Sequence, residues 1–151
     1  MSTEDVETEE NEIEYGPCGV DDVEAVHKFV IDSGWGHRVE DVDRFRQLLK
    51  NSTRAVVARH VAGEEWNKTS DVVGFGRAIS DDISNGYISM VVVDERYRRR
   101  GIGAEMVRRL MGDNTDITWV VRAGRDSEVF WQRVGFNVSR VSMERPGKNR
   151  R

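Results

Sequence analysis

The chain has 151 residues, of which 33% are charged, and a formal net charge of -4. This length corresponds to one domain that can bury a hydrophobic core without disulfides, and the single cysteine, Cys18, excludes an internal bridge. No apolar run reaches the roughly 20 residues of a membrane-spanning helix, so we expect a cytoplasmic protein that makes no membrane contact. Seven of the 27 acidic residues lie in the first 14 positions, which hold no Lys or Arg. We therefore predict an acidic disordered tail over residues 1–11, one domain over residues 12–146 and a basic tail over residues 147–151.

Hydrophobic periodicity predicts a domain in which strands and helices alternate. The first predicted elements are a strand at residues 13–15, a helix opened by Asp21 and Asp22 and interrupted at residues 33–36, and a helix from about Val39. A strand at 55–61, a turn-like segment at 62–70, a strand at 72–79, a hairpin connection at 81–86 and a strand at 87–93 follow. The last predicted elements are a helix at 101–111, a strand at 117–121, a helix at 127–134 and a strand at 136–143. Hairpins followed by strand–helix–strand units predict an α/β fold with a mixed sheet and helices on both faces.

The most informative segment joins a buried strand to a helix through a basic turn. The apolar run at residues 91–93 is typical of a strand covered on both faces, and three arginines at positions 98–100 follow it. The first turn of a helix offers unpaired backbone N–H groups and partial positive charge, which suit a phosphate. Glycine at 101 and 103 lets the backbone approach phosphate oxygens closely. The segment therefore predicts a phosphate site, although a solvated basic loop is the alternative.

Other phosphate and anion binders fit this segment less well. No Gly-Lys-Ser/Thr ending follows the turn, which excludes a P-loop. A dinucleotide fingerprint would need a third glycine where Met106 stands. A nucleic-acid binder is disfavoured by the acidic N-terminal segment, and no His, Cys or carboxylate spacing indicates a metal site.

Arg98-x-x-Gly101-x-Gly103 resembles the Gln/Arg-x-x-Gly-x-Gly/Ala signature of the GNAT superfamily of N-acetyltransferases. The valine strand before it and the aromatic run at residues 130–136 are similar to that family as well. The helix break at residues 33–35 and the strand end at residues 76–81 resemble one of its branches. The resemblance covers residues 12–145 and implies a mostly antiparallel twisted sheet of six to seven strands.

The resemblance implies acetyl transfer from acetyl-CoA to a primary amine of a small molecule, peptide or protein, in a family that is often dimeric. Backbone groups of the valine strand would bind the pantetheine arm, with an N–H near Val92 at the thioester carbonyl. Amides of the turn and first helical residues would bind the pyrophosphate. The implied cofactor-binding residues are Val91, Val92, Val93, Arg98, Arg99, Arg100, Gly101, Ile102, Gly103 and Ala104.

Catalytic and acceptor-binding residues are less sharply indicated. The candidate bases that would accept the amine proton are Asp81, Asp82 and Glu128. Trp131 stands where the family often has a tyrosine acid, so Tyr87 or Tyr97 would replace it, or the thiolate would leave unassisted. Trp35 and Arg77 are the acceptor-site candidates, although packing is the alternative for Trp35.

The departures from the family pattern keep a second function open. Residues 123–126 stand where the family has an asparagine, so both the tyrosine and the asparagine are missing. A non-catalytic acyl-CoA-binding sensor is therefore the alternative to an enzyme.

Overall fold

The computed structural model describes residues 12–61, 71–124 and 126–148. The described part contains one five-stranded sheet in the order β1-β2-β3-β4-β5, in which each strand neighbours the next along the chain. The strands are β1 (Ile13–Pro17), β2 (Arg54–His60), β3 (Asp71–Ser80), β4 (Asn85–Val93) and β5 (Thr118–Val121). The pairs from β1 to β4 are antiparallel, and β4 and β5 are parallel.

Four helices cover the two faces of this sheet. They are α1 (Val23–Val30), α2 (Val42–Lys50), α3 (Ile102–Met111) and α4 (Glu128–Arg133). Helices α1 and α2 bury Val26, Val30 and Phe45 against Phe75 and other side chains of one face. Helices α3 and α4 pack on the opposite face, where Met106, Leu110 and Trp131 belong to a second buried cluster. The predicted α/β fold with helices on both faces is therefore confirmed.

A π-type turn, Ile31–Trp35, ends α1 where the sequence predicted an interruption. Gly34 has φ +92° there, a left-handed conformation that glycine adopts without a steric penalty. A single helical turn, Gly36–Val39, follows, and α2 begins only at Val42, after Asp41 accepts a hydrogen bond from the Asp43 amide at 2.8 Å. The predicted start near Val39 was therefore wrong by about one turn.

The prediction of a last strand at residues 136–143 is wrong. The described residues 136–148 contain no strand, and the sheet formed by the described residues has five strands, so the expected six to seven are not confirmed. Phe136 packs against the core, but Val138, Val141 and Met143 are 75%, 91% and 98% exposed. The apolar pattern predicted a strand, but no strand of the described sheet pairs with this segment.

Several expectations fall outside this structure or are only partly met by it. Three predicted segments lie wholly or mostly outside the described residues. They are the acidic tail at 1–11, the turn-like segment at 62–70 and the basic tail at 147–151. No helix in the described ranges is long and apolar enough to cross a membrane.

Gly86 permits the contact between β4 and β5. It lies opposite Trp119 in the parallel pair, and a Cβ at position 86 would come within 2.3 Å of the indole ring. We expect Gly86→Ala to lower the free energy of unfolding by about 1–3 kcal/mol, because the ring must move out of a packed position. Chemical denaturation measures the change.

Gly16→Ala is the matched control, since Gly16 also lies in a strand and a Cβ there would meet no atom within 4 Å. We expect its unfolding free energy to stay close to that of the parent protein. Equal losses in the two variants would contradict the assigned contact.

Candidate active site

An open cleft begins where β4 and β5 separate. The two strands pair only from Asn85 to Ile88 on β4, while β4 continues to Val93 with β3 as its partner. Along Ser89–Val93, the edge that faces away from β3 has no strand partner among the described residues. Such an edge presents free backbone N–H and C=O groups that can pair with an extended ligand. The predicted pantetheine-binding residues lie along it.

An extra residue on β4 accompanies the separation. Arg77 of β3 lies opposite Met90, but the next residue, Ala78, lies opposite Ile88, so that Ser89 has no opposing residue. A bulge of this kind bends its strand and increases the local twist. Ser89 is also the first residue of β4 beyond the β4–β5 ladder. We call Ser89 the apex of the cleft.

The basic turn connects the far end of this edge to α3. The Asp94 carboxylate accepts a hydrogen bond from the Arg96 amide at 2.9 Å, which begins a short 3-10 turn. Arg99 and Gly101 then have φ values of +67° and +79°. Left-handed backbone is uncommon at a non-glycine residue and is often found at ligand-binding sites.

The first turn of α3 has no side-chain cap among the described residues. Gly101 is the N-cap, and a Cβ at this position would meet no atom within 4 Å. The α3 amides therefore lack a side-chain acceptor, and the helix dipole adds partial positive charge. The arrangement can bind an anion, as the sequence predicted.

Gly103 has a packing role that the sequence did not reveal. A Cβ at this position would lie 3.0 Å from Cε2 and 3.1 Å from Cζ of Phe130. Phe130 belongs to α4, which therefore approaches α3 closely because position 103 has no side chain. The periodic aromatic run around Phe130 signalled a packed helix but not its contact with the glycine turn.

Tyr97 belongs to the basic turn, and contacts with neighbouring side chains hold its ring in place. Its hydroxyl oxygen is 3.1 Å from Nδ1 of His60, and Nε2 of His60 is 2.7 Å from the Glu12 carboxylate. The Arg100 guanidinium lies over the Tyr97 ring, 5.0 Å from its centroid. These contacts connect β2 and the residue before β1 to the predicted pyrophosphate turn, and no sequence pattern indicated them.

Tyr97 is distant from the apex of the cleft. Its partner His60 lies opposite Asp71, whereas Arg77, beside the apex, is six residues further along β3. Six strand residues span about 20 Å. The position favours a structural role in the turn over proton donation at the apex.

Asp81 is held by the β3–β4 hairpin. Its carboxylate accepts hydrogen bonds from the amides of Ile83, Ser84 and Asn85 at 2.8–3.0 Å and from the Ser84 hydroxyl at 2.7 Å. These bonds, above all those from Ser84, lower the pKa of Asp81 well below its ordinary value. A carboxylate stabilised in this way is a weak base, which favours a turn-forming role for Asp81 over catalysis. Asp82, the second candidate base, forms an ion pair with Arg54 at 2.8 Å, which favours a structural role in the hairpin.

The third candidate base and the family's tyrosine position lie on α4. Glu128 is exposed at the start of the helix, where its carboxylate accepts a weak bond from Gln132 at 3.4 Å. Trp131 is 7% exposed and contacts Phe130 and Phe136 edge-on, with centroid distances of 5.0 and 5.2 Å. Trp131 is therefore part of the core.

The two acceptor-site candidates occupy different environments on the α1–α2 face. Trp35 is half-buried and packs against the cluster formed by α1 and α2. Arg77 is 7% exposed, and it donates from Nε to the Ser52 hydroxyl at 2.9 Å and from Nη1 to the Ser89 hydroxyl at 2.7 Å. Burial lowers the pKa of the Arg77 guanidinium. Arg77 thus contacts the apex of the cleft through the Ser89 hydroxyl.

A cavity of about 810 Å³ adjoins the basic turn on the same face. It lies between the end of α1, the start of β3 and the turn after β4, and its lining includes Lys28, Asp32, Asp71, Val93 and Arg98. Within the described ranges, no group of three His, Cys, Asp or Glu residues is arranged to hold a metal ion.

Known structures share this fold. The fold is similar to a GNAT-family acetyltransferase from Streptococcus pneumoniae, at 19% identity over 90% of this chain and 97% of that one, with a TM-score of 0.65. It is also similar to glucosamine-6-phosphate N-acetyltransferase from Arabidopsis thaliana, at 14% identity, 89% and 97% coverage and a TM-score of 0.63. A third similar structure is an aminoglycoside N-acetyltransferase in complex with CoA, at 12% identity, 90% and 95% coverage and a TM-score of 0.66.

Sequence comparison with protein families gives a direct assignment. No curated protein matches the chain significantly. The model of the acetyltransferase (GNAT) family matches residues 23–136, which include α1, the basic turn and α4. The chain therefore belongs to the GNAT family of acetyltransferases.

Proposed function

We propose that the protein transfers an acetyl group from acetyl-CoA directly to a primary amine. The observation that carries this proposal is the uncapped first turn of α3 at the end of the open β4 edge. One surface thus offers both an anion site and a strand edge. Acetyl-CoA carries matching groups, a diphosphate and an amide-containing arm.

The proposed binding groups follow the cleft from the basic turn to the apex at Ser89. Amides from Arg99 to Ala104 bind the diphosphate, and the arginines at positions 98–100 supply full charges around it. Backbone groups of Val91 and Val93 pair with the amides of the arm. The acetyl thioester then lies toward the apex, where main-chain amides of β4 can donate to its carbonyl oxygen.

The amine must reach the thioester in its neutral form, and much of the rate enhancement comes from holding the two groups together. A proton leaves the amine during transfer and needs an acceptor. Asp81 is disfavoured by its hairpin bonds and Asp82 by its ion pair with Arg54, so Glu128 or water is the acceptor in this proposal. Trp131 is buried in the aromatic cluster and supplies no acid comparable to a tyrosine. The thiolate therefore leaves unassisted or takes a proton from Tyr87 of β4.

The alternative function is a sensor that binds acyl-CoA without turnover. One observation supports it, the buried Trp131 at the family's tyrosine position. Thiol release from acetyl-CoA with a panel of primary amines separates the two functions. The enzyme proposal predicts release that depends on at least one amine. Tight binding of acetyl-CoA without release on any amine would support the sensor.

The substitution Ala104→Glu should affect the stability of α3 and the binding of a phosphate in opposite directions. Ala104 is exposed in the first turn of α3. A carboxylate there favours the helix by about 0.3–1 kcal/mol but repels a diphosphate bound to the same turn. We expect the free energy of unfolding to rise or stay constant while the affinity for acetyl-CoA falls about tenfold or more. Chemical denaturation and calorimetry measure the two quantities.

Gln47→Glu is the control, because it adds the same charge at an exposed position of α2. It should leave the affinity for acetyl-CoA unchanged at physiological salt. Equal affinity for acetyl-CoA in the parent protein and in Ala104→Glu would show that the diphosphate does not bind at this turn. That result would contradict the proposed cofactor site.

A further inference from the structure

Arg77 is a buried cation whose described partners are neutral. The residue is 7% exposed, and its two hydrogen bonds go to the hydroxyls of Ser52 and Ser89. Among the residues that the structure describes, no carboxylate lies within ion-pair distance of its guanidinium. A buried charge is normally paired, because removing it from water costs several kcal/mol. This cation therefore lacks a described anionic partner.

The guanidinium retains donors for such a partner. Arginine has five N–H groups and no acceptor, and the two described bonds use only two of them. Ser52 also donates to the Leu48 carbonyl at 2.7 Å, so it is anchored to the end of α2. The two hydroxyls hold the side chain in place without neutralising it.

The position of Arg77 relates this charge to the proposed reaction. Nη1 is 2.7 Å from the Ser89 hydroxyl, and Ser89 is the apex of the cleft. A group that binds beside the Ser89 hydroxyl on the α1–α2 face therefore lies close to the guanidinium.

We propose that the acceptor is an amine with a carboxylate next to the nucleophilic nitrogen, such as an α-amino acid, and that Arg77 binds the carboxylate. The inference rests on the proposed acetyl transfer. In an α-amino acid a single carbon separates the nitrogen from the carboxylate, so an amine at the apex places its carboxylate beside Arg77. The forked guanidinium can bind a carboxylate through two parallel hydrogen bonds, which also orients the amine.

Matched acceptors test this inference. Thiol release from acetyl-CoA is measured with glycine against methylamine, alanine against ethylamine and phenylalanine against 2-phenylethylamine, at equal concentrations of the neutral amine. We expect kcat/KM to favour the carboxylate-bearing member of at least one pair by about 10–100-fold, the range for a hydrogen-bonded charged group. Ratios near one in every pair would overturn the inference.

Variants assign the preference to Arg77. Arg77→Gln should bring the ratio close to one, mainly through a higher KM for the amino acid, and Arg77→Lys should retain part of it as a point charge. Arg46→Gln, the same change at an exposed arginine of α2, should leave the ratio unchanged. A ratio that persists in Arg77→Gln, with unfolding free energy and acetyl-CoA affinity intact, would also overturn the inference.

Calorimetry with acetyl-CoA distinguishes the two proposals. Binding and turnover by the parent protein without carboxylate preference would overturn the acceptor class and leave acetyl transfer standing. Failure of the parent protein to bind acetyl-CoA, or to release thiol with any amine, would contradict the proposed transfer and the acceptor class together.

Discussion

The extra residue in β4 is the constraint on which the site depends. Ser89 has no residue opposite it on β3, and the parallel ladder to β5 ends one residue earlier. If the two strands continued side by side, their backbone groups would bond to each other and leave no edge for a ligand. The bulge therefore turns a continuous sheet into one with an internal cleft, and it brings the Ser89 hydroxyl to Arg77 on the neighbouring strand.

The second requirement is that α3 begins at the mouth of that cleft. Left-handed backbone at Arg99 and Gly101 turns the chain from β4 into the helix. The helix is held in place by Met106 and Leu110 in the core and by Phe130, whose ring lies against Gly103. Packing and the proposed anion binding thus depend on the same glycine turn, which is why a substitution at Gly103 would disturb both.

Much of the fold and part of the site could be predicted from the sequence. Short β-branched runs located the central strands, and the glycine-arginine turn located the start of α3, because both depend on local chemistry. The bulge could not be predicted, since Ile88, Ser89 and Met90 read as one uninterrupted strand. The contact of Arg77 with Ser52 and Ser89 depends on tertiary packing. The exposed segment 137–148 shows that an apolar pattern without a strand partner forms no strand.

The central claim, that the α3 amides bind the diphosphate of acetyl-CoA, is tested most directly by amide chemical shifts. Titration of ¹⁵N-labelled protein with CoA should move the amide resonances of residues 99–104 and of Val91–Val93 most strongly. Titration with dephospho-CoA, which keeps the diphosphate, should shift the same turn amides. Large shifts elsewhere, with residues 99–104 unchanged at saturation, would contradict the account.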